Sequence, residues 1–189
     1  MFNNIPPLTR NIIIINIIVF IAASLIPLLD LNLTGFYPFS PNFKSWQIIT
    51  HMFMHGSIMH ILFNMFTLFS FGPILEQSLG DKKYLILYFL SGLGAFFLFN
   101  LWNFIEIQQL ISQLEEMKVD VSEIYSNSDL RTYGYSKTIY LDQPLSRSLY
   151  EGLTGGMVGA SGAIFGVIAA FATLYPEAKI GIMFIPIPV

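Results

Sequence analysis

Four long stretches without a charged side chain set the strongest limit on what this chain can fold into. They cover residues 11–29, 57–75, 84–105 and 152–176. Each is close to the roughly 20 apolar residues that a helix needs to cross a hydrocarbon core about 30 Å thick. A soluble domain usually carries about 25% charged residues, whereas this chain carries 11%. The sequence therefore predicts an all-α integral membrane protein, a polytopic helical bundle with about four transmembrane helices.

The charged residues are concentrated between the third and fourth stretches. More than half of them lie in residues 106–151, which we interpret as a polar insertion in a single membrane domain spanning residues 1–189. The apolar spacing from Ile107 to Ile124 predicts an amphipathic helix that lies on the membrane surface or extends the third span. A plain solvated helix is the alternative. Residues 126–143 are expected to form an irregular loop.

Basic residues in the short loops indicate the orientation. Most of them fall on one side of the membrane if the spans alternate: Arg10, Lys82, Lys83 and Lys179. Only Lys44 falls in the short connection on the other side, so the N-terminus is predicted to be cytoplasmic. A signal peptide with its cleavage region near residues 22–24 is an alternative for the first span. The net charge of -3 gives no argument for a nucleic-acid partner, and without cysteine no disulfide is possible.

Two of the spans contain polar residues that a bilayer penalises. His60 and Asn64 are four residues apart in the second span and therefore lie on one helical face. Ser161 lies in the fourth span, within the sequence GASG at 159–162. Such residues inside a membrane indicate a functional site by default. The alternatives are interhelical hydrogen bonding and close helix packing through the GxxxG pattern that begins at Gly162.

Sequence spacing allows these polar residues to lie at one depth. The separation from His55 to Asn64 equals that from Gly152 to Ser161. If both segments are helical, Asn64 and Ser161 lie about 13 Å below the same entry level. This arrangement allows the hydroxyl, the amide and the imidazole of His60 to face one shallow cavity that opens to the outer side.

A zinc site built from histidines is a further alternative for the second span. It would use His51, His55 and His60, whose imidazoles are suitable zinc ligands. His51 and His55 have no nearby acidic or thiolate partner in the sequence. We therefore expect no metal and no organic cofactor.

Taken together, the motifs resemble those of the rhomboid intramembrane serine proteases. Residues 46–80 resemble the second-helix region of that family. They contain its His-x4-His-x3-Asn pattern at His55, His60 and Asn64. The GASG sequence at 159–162 resembles the GxSG nucleophile motif, and residues 175–189 resemble the stretch that leads to the next helix. GxSG alone is a weak signal, but both motifs in this order, each within a span, form a strong one.

The resemblance implies a role for each of three residues. Ser161 is the expected nucleophile, and His60 and Asn64 are expected to donate hydrogen bonds to the oxyanion. The implied activity is endopeptidase cleavage of transmembrane proteins within the lipid bilayer. The compact architecture favours the bacterial inner membrane as the location. The family resemblance says nothing about the oligomeric state.

Four further residues are expected to support this site. Gly159 and Gly162 of the GxSG motif permit close packing, and His55 belongs to the second-helix pattern. Phe165 lies one helical turn after Ser161, where the family often places an aromatic ring against its catalytic histidine.

Two departures from the family pattern affect the expected activity. The family's general base is a histidine on its sixth membrane helix, whereas the histidines here are His51, His55 and His60 and the chain ends at Val189. A truncated reading frame would explain this, and the 189-residue chain alone is expected to be inactive. The second departure is Gln47, where many relatives have arginine, which leaves the anchoring of the first loop open. A non-catalytic membrane adaptor that binds transmembrane segments of client proteins is the alternative function.

Overall fold

A computed structural model describes residues 5–134, 143–182 and 185–188 of the chain, with side chains up to residue 178. Within these ranges, three helices are long and apolar enough to cross a membrane. They are α1 (Pro7–Leu25), α4 (Ile58–Leu79) and α5 (Asp81–Glu116). The chain is an all-α membrane bundle, as the uncharged stretches predict.

Shorter elements connect and follow the three long helices. Two short helices, α2 and α3, and the strand β1 lie between α1 and α4: Pro27–Leu33, Gln47–Thr50 and Gly35–Phe36. A single turn of 3-10 helix at His51–Phe53 leads toward α4. The elements after α5 are α6 (Val121–Asn127), α7 (Leu130–Tyr133), α8 (Pro144–Thr154), β2 (Gly156–Met157), α9 (Ser161–Leu174), β3 (Lys179–Ile182) and β4 (Ile185–Pro188).

The fourth uncharged stretch, 152–176, does not form one continuous helix. It contains the end of α8, the strand β2 and then α9, which has 14 residues. The glycine pair at 155–156 disfavours a continuous helix, and Gly159 has a φ of 116° that no α-helix contains. The estimate of depth that assumed a helix from Gly152 to Ser161 therefore does not hold.

The helix α9 packs between α4 and α5 at the centre of the bundle. Glycines on one face of α9 allow the close approach to α5. A Cβ atom on Gly162 would overlap the Cβ of Ala95, and one on Gly166 would overlap the Oγ of Ser91. The surrounding apolar core consists of residues from four helices, among them Ile12, Ile13, Leu68, Leu75, Tyr84, Tyr88, Ile164 and Val167.

The polar insertion forms a second, smaller core beside the bundle. The third span continues without a break into this region, since α5 runs to Glu116. The buried side chains of the small core are Tyr37, Ile107, Leu114, Ile124, Leu149 and Leu153. Part of the expected loop is helical, because the carboxylates of Asp120 and Asp129 accept hydrogen bonds from the first turns of α6 and α7.

Two pairs of short strands were not expected from the sequence. The first pairs β1 with β2 in antiparallel register, so that Gly35 lies opposite Met157 and Phe36 lies opposite Gly156. This pair connects the loop after α2 to the segment that precedes Ser161. The second pairs β3 with β4 in the apolar tail.

Candidate active site

Gly159 is the point where the segment before α9 meets α4. Its φ of 116° lies in a region that favours glycine. Its backbone N–H donates a hydrogen bond to the carbonyl oxygen of His51, at 2.9 Å. A Cβ atom here would lie 2.6 Å from Nε2 of His60 and 3.5 Å from Nδ2 of Asn64. Only a residue without a side chain allows this contact, so the glycine sets the distance between the two segments.

His60 and Asn64 lie on consecutive turns near the start of α4. The helix begins after Ser57, whose Oγ accepts a hydrogen bond from the backbone N–H of His60 at 3.1 Å. This cap fixes the first turn of the helix and with it the imidazole that faces Gly159. Asn64 is buried, with 8% of its surface exposed, whereas His60 is half-buried.

His55 forms a hydrogen bond with the amide of Asn64 and so orients it. The two side chains meet at 3.0 Å between Nε2 of His55 and Nδ2 of Asn64. Burial, and then the nearby His60, lower the pKa of His55 to about 4. The ring is therefore neutral at pH 7, and its Nε2 accepts the hydrogen bond from the amide. The rings of His55 and His60 also meet edge to face, with 5.0 Å between their centroids.

Ser161 is the first residue of α9 and is half-buried. The first hydrogen bond within this helix is donated by the N–H of Ile164 to the carbonyl of Ala160. The preceding N–H groups thus have no acceptor within the helix, and no side chain caps it. Such a helix end carries partial positive charge and favours an anion. Among the described residues, the hydroxyl of Ser161 has no hydrogen-bond partner.

The structure therefore brings four of the seven expected residues together, and a fifth, Ser161, begins the helix that follows them. His55, His60, Asn64 and Gly159 are in direct contact, and Ser161 follows Gly159 by two residues. Together these residues provide three kinds of hydrogen-bond donor: an imidazole, an amide and the N–H groups at the start of α9. The hydroxyl of Ser161 belongs to the same helix start. Such donors stabilise the negative charge that develops on an oxygen during acyl transfer.

The other two expected residues have different surroundings. Gly162 faces α5 and contributes to helix packing. Phe165 points outward and is 71% exposed. Within the described part of the chain, its ring forms no aromatic pair with a histidine.

Sequence reasoning missed the part that His51 takes in this arrangement. Its backbone carbonyl accepts the hydrogen bond from Gly159, and its Nδ1 donates to the carbonyl of Gln47 at 2.8 Å. Burial lowers the pKa of its imidazole. A backbone contact of this kind leaves no pattern in a single sequence. The sequence did single out Gln47, and the structure shows that its side chain is fully buried.

A metal site is not supported by the residues that the structure describes. No group of three histidine, cysteine, aspartate or glutamate side chains among them is arranged to hold an ion.

Comparison with known proteins places this arrangement in a family context. The Rhomboid domain model matches residues 42–106. The Rhomboid protease GlpG of Salmonella choleraesuis (strain SC-B67) is 37% identical over 89 residues, which are 46% of this chain and 32% of that protein. The GlpG proteins of Salmonella paratyphi A and Salmonella typhi are 36% identical over 89 residues, with the same two shares. The matched stretch thus spans about a third of the length of these relatives.

Proposed function

We propose that this chain, which belongs to the rhomboid family, carries the nucleophile and the oxyanion-binding residues of an intramembrane serine endopeptidase. The observation that carries this proposal is the close approach of Gly159, two residues before Ser161, to α4, where a Cβ on the glycine would lie 2.6 Å from Nε2 of His60 and 3.5 Å from Nδ2 of Asn64. This close approach supports a site in which the serine at the start of α9 acts together with the imidazole and the amide of α4. Relatives named as rhomboid proteases support the same reaction class.

In the proposed reaction, Oγ of Ser161 attacks the carbonyl carbon of a peptide bond. The carbonyl oxygen becomes negatively charged and accepts hydrogen bonds from Nε2 of His60, from Nδ2 of Asn64 and from the backbone N–H of Ser161. Removal of one such donor typically costs about 2.7 to 4 kcal/mol of transition-state stabilisation. The substrate would be a transmembrane segment of another protein that unwinds into the site.

A serine hydroxyl needs a base to take its proton, and the chain's three histidines are engaged elsewhere. Nδ1 of His51 binds the carbonyl of Gln47, and His55 binds Asn64 and has a pKa of about 4. His60 is assigned to the oxyanion. We therefore propose that the 189-residue chain is inactive until a further histidine supplies the base, as on the sixth helix of the family.

The proposed location is the bacterial inner membrane, with the N-terminus in the cytoplasm and the site open to the outer side. The basic short loops support the orientation, and the Salmonella relatives support a bacterial membrane.

The direct test uses a form of the protein that is extended through two further membrane helices carrying a histidine. We expect this form to cleave a model transmembrane substrate and Ser161→Ala to abolish cleavage. Ser70→Ala is the matched control, because Ser70 bonds only to its own helix at the carbonyl of Phe66, and it should retain activity. Equal cleavage by the Ser161→Ala form would exclude Ser161 as the nucleophile.

The unextended chain offers a second test with a fluorophosphonate probe. We expect no labelling at Ser161, and strong labelling would show that the chain already holds a base. An extended form that binds transmembrane segments without cutting them would instead support the adaptor function.

A further inference from the structure

We infer that Arg131, in the polar insertion, is a positioning residue for Ser161. It acts through the loop between α2 and α4, and the inference rests on the proposed function of Ser161. Arg131 lies on α7, far from Ser161 in sequence, and a chain of hydrogen bonds connects its guanidinium to Gly159.

The insertion is hydrogen-bonded to this loop first through Asn42, whose side chain is fully buried. Nδ2 of Asn42 donates to the carbonyl of Ser128 at 2.7 Å, and its Oδ1 accepts the N–H of Leu130 at 2.9 Å. Ser128 follows the last residue of α6, and Leu130 is the first residue of α7. One amide side chain thus satisfies a donor and an acceptor of the insertion's backbone, which fixes the two segments relative to each other.

Arg131 then binds two backbone carbonyls, one in this loop and one in the helix α2 that precedes it. Its Nη1 donates to the carbonyl of Asn42 at 3.1 Å, and its Nη2 donates to that of Leu31 at 3.4 Å. The side-chain amide of Gln47 donates to the same two carbonyls, at 3.3 Å and 3.0 Å. The guanidinium and the amide therefore share both acceptors. A planar guanidinium spans two carbonyls in a way that a single ammonium does not.

Gln47 continues the connection toward the site. Its backbone carbonyl accepts the hydrogen bond from Nδ1 of His51, at 2.8 Å. The carbonyl of His51 in turn accepts the N–H of Gly159, at 2.9 Å. Four direct contacts thus lead from the insertion to the turn that sets the start of α9.

We expect that loss of Arg131 weakens the hydrogen bond between the N–H of Gly159 and the carbonyl of His51 without unfolding the bundle. The bundle core of α1, α4, α5 and α9 lies apart from the insertion's core. The effect should be local, because α2 and the loop after it lose a charged donor to one carbonyl each, while Gln47 retains its weaker hydrogen bonds to both.

The test measures the backbone N–H of Gly159 in the full 189-residue chain in detergent micelles. Val158–Gly159 is the only Val–Gly pair in the sequence. Labelling with carbonyl-13C valine and 15N glycine therefore gives a single amide signal for Gly159 in a carbonyl-correlated spectrum. Labelling with carbonyl-13C leucine instead of carbonyl-13C valine gives the signals of Gly80 and Gly94, the two glycines that follow leucine. These two signals serve as references within the bundle.

In Arg131→Ala, we expect hydrogen exchange at Gly159 to be roughly threefold to tenfold faster, as for the loss of an ordinary hydrogen bond, because Gln47 keeps its hydrogen bonds to the same two carbonyls. Exchange at Gly80 and Gly94 should stay unchanged. Arg131→Lys keeps the positive charge but lacks the planar guanidinium that donates to both carbonyls. The exchange rate at Gly159 should therefore be intermediate. Glu123→Gln is the control, because Glu123 is an exposed residue of the same insertion, and it should leave all three rates unchanged.

Two results would overturn the inference. One is an unchanged exchange rate at Gly159 in both Arg131 variants. The other is an equal increase at Gly159, Gly80 and Gly94, which would make Arg131 a general stabilising residue. The readout does not depend on catalysis, so it is independent of whether Ser161 is the nucleophile. In the extended form, Arg131→Ala should slow cleavage by a similar factor, whereas Ser161→Ala should abolish it.

Discussion

At the scale of single residues, the candidate site depends on a glycine that a side chain cannot replace. Gly159 combines a φ of 116° with a backbone that lies against His60 and Asn64. The sequence indicates this glycine through the GxSG pattern, and it indicates His60 and Asn64 through their helical spacing. It could not indicate the acceptor for the N–H of Gly159, which is the carbonyl of His51, because a backbone carbonyl is common to every residue.

We expect Gly159→Ala to destabilise the protein and displace His60. Strain at this φ costs about 1 to 3 kcal/mol, and the new Cβ would lie 2.6 Å from Nε2 of His60. The measurement is thermal unfolding in detergent. Gly94→Ala is the matched control, because a Cβ there meets nothing within 4 Å and alanine favours a helix. Equal stability of the two variants would contradict the geometry described for Gly159.

His55 should make the stability of the protein depend on pH. Its pKa is lowered from 6.5 to about 4 by burial and by His60, so the unfolded chain binds the proton more tightly than the folded one. The contribution of His55 to the stability of the folded state is therefore complete above pH 6.5, where the ring is neutral in both states. It is lost as the pH falls toward 4. His55→Gln should show a shallower decrease in unfolding temperature between pH 7 and pH 5. His51, whose pKa is also lowered, should account for part of the remaining slope.

At the scale of elements, the ends of the helices explain where the sequence prediction differs from the structure. Apolar length predicts that α1, α4 and α5 exist, since composition alone determines that a helix can cross lipid. It does not predict that the stretch 152–176 is interrupted before Ser161. The glycines at 155, 156 and 159 disfavour a continuous helix there, but the strand that replaces the helix depends on the pairing of β2 with β1, far away in sequence. The caps at Asp120 and Asp129 carried a readable signal, since aspartate often begins a helix.

One helix end provides a test of how the bundle is held together. The carboxylate of Glu76, in the last turn of α4, accepts the N–H of Leu8 at 2.9 Å and that of Thr9 at 2.7 Å. It therefore caps the start of α1 from another helix. Because a hydrogen bond to a charged group contributes about 1.5 to 3 kcal/mol, we expect Glu76→Ala to lower the unfolding temperature clearly.

Glu76→Gln should have a smaller effect than the alanine variant, because the amide keeps one acceptor oxygen. The exposed neighbour Gln77 is the control, and Gln77→Ala should be close to neutral. If the Glu76 and Gln77 variants unfold at the same temperature, the carboxylate does not hold α1 in place.

At the scale of the whole molecule, a membrane bundle and a small polar core meet at the loop between α2 and α4. The bundle supplies α4 and α9, whose starts carry the candidate residues. The insertion is hydrogen-bonded to the loop through Asn42 and Arg131. The sequence alone assigned no role to this insertion. This relationship joins segments that are nearly 90 residues apart, and no local pattern of charge or hydrophobicity predicts it.

The central claim is that Ser161 lies beside the polar face of α4, and cross-linking tests it most directly. The chain has no cysteine, so pairs of cysteines can be introduced without background. We predict that Ser161→Cys joins to His60→Cys, and also to Asn64→Cys, with a short bifunctional thiol reagent in detergent. It should not join to Phe69→Cys, which lies on the opposite face of α4. Cross-linking to the cysteine at 69 and to neither of the other two would contradict the account.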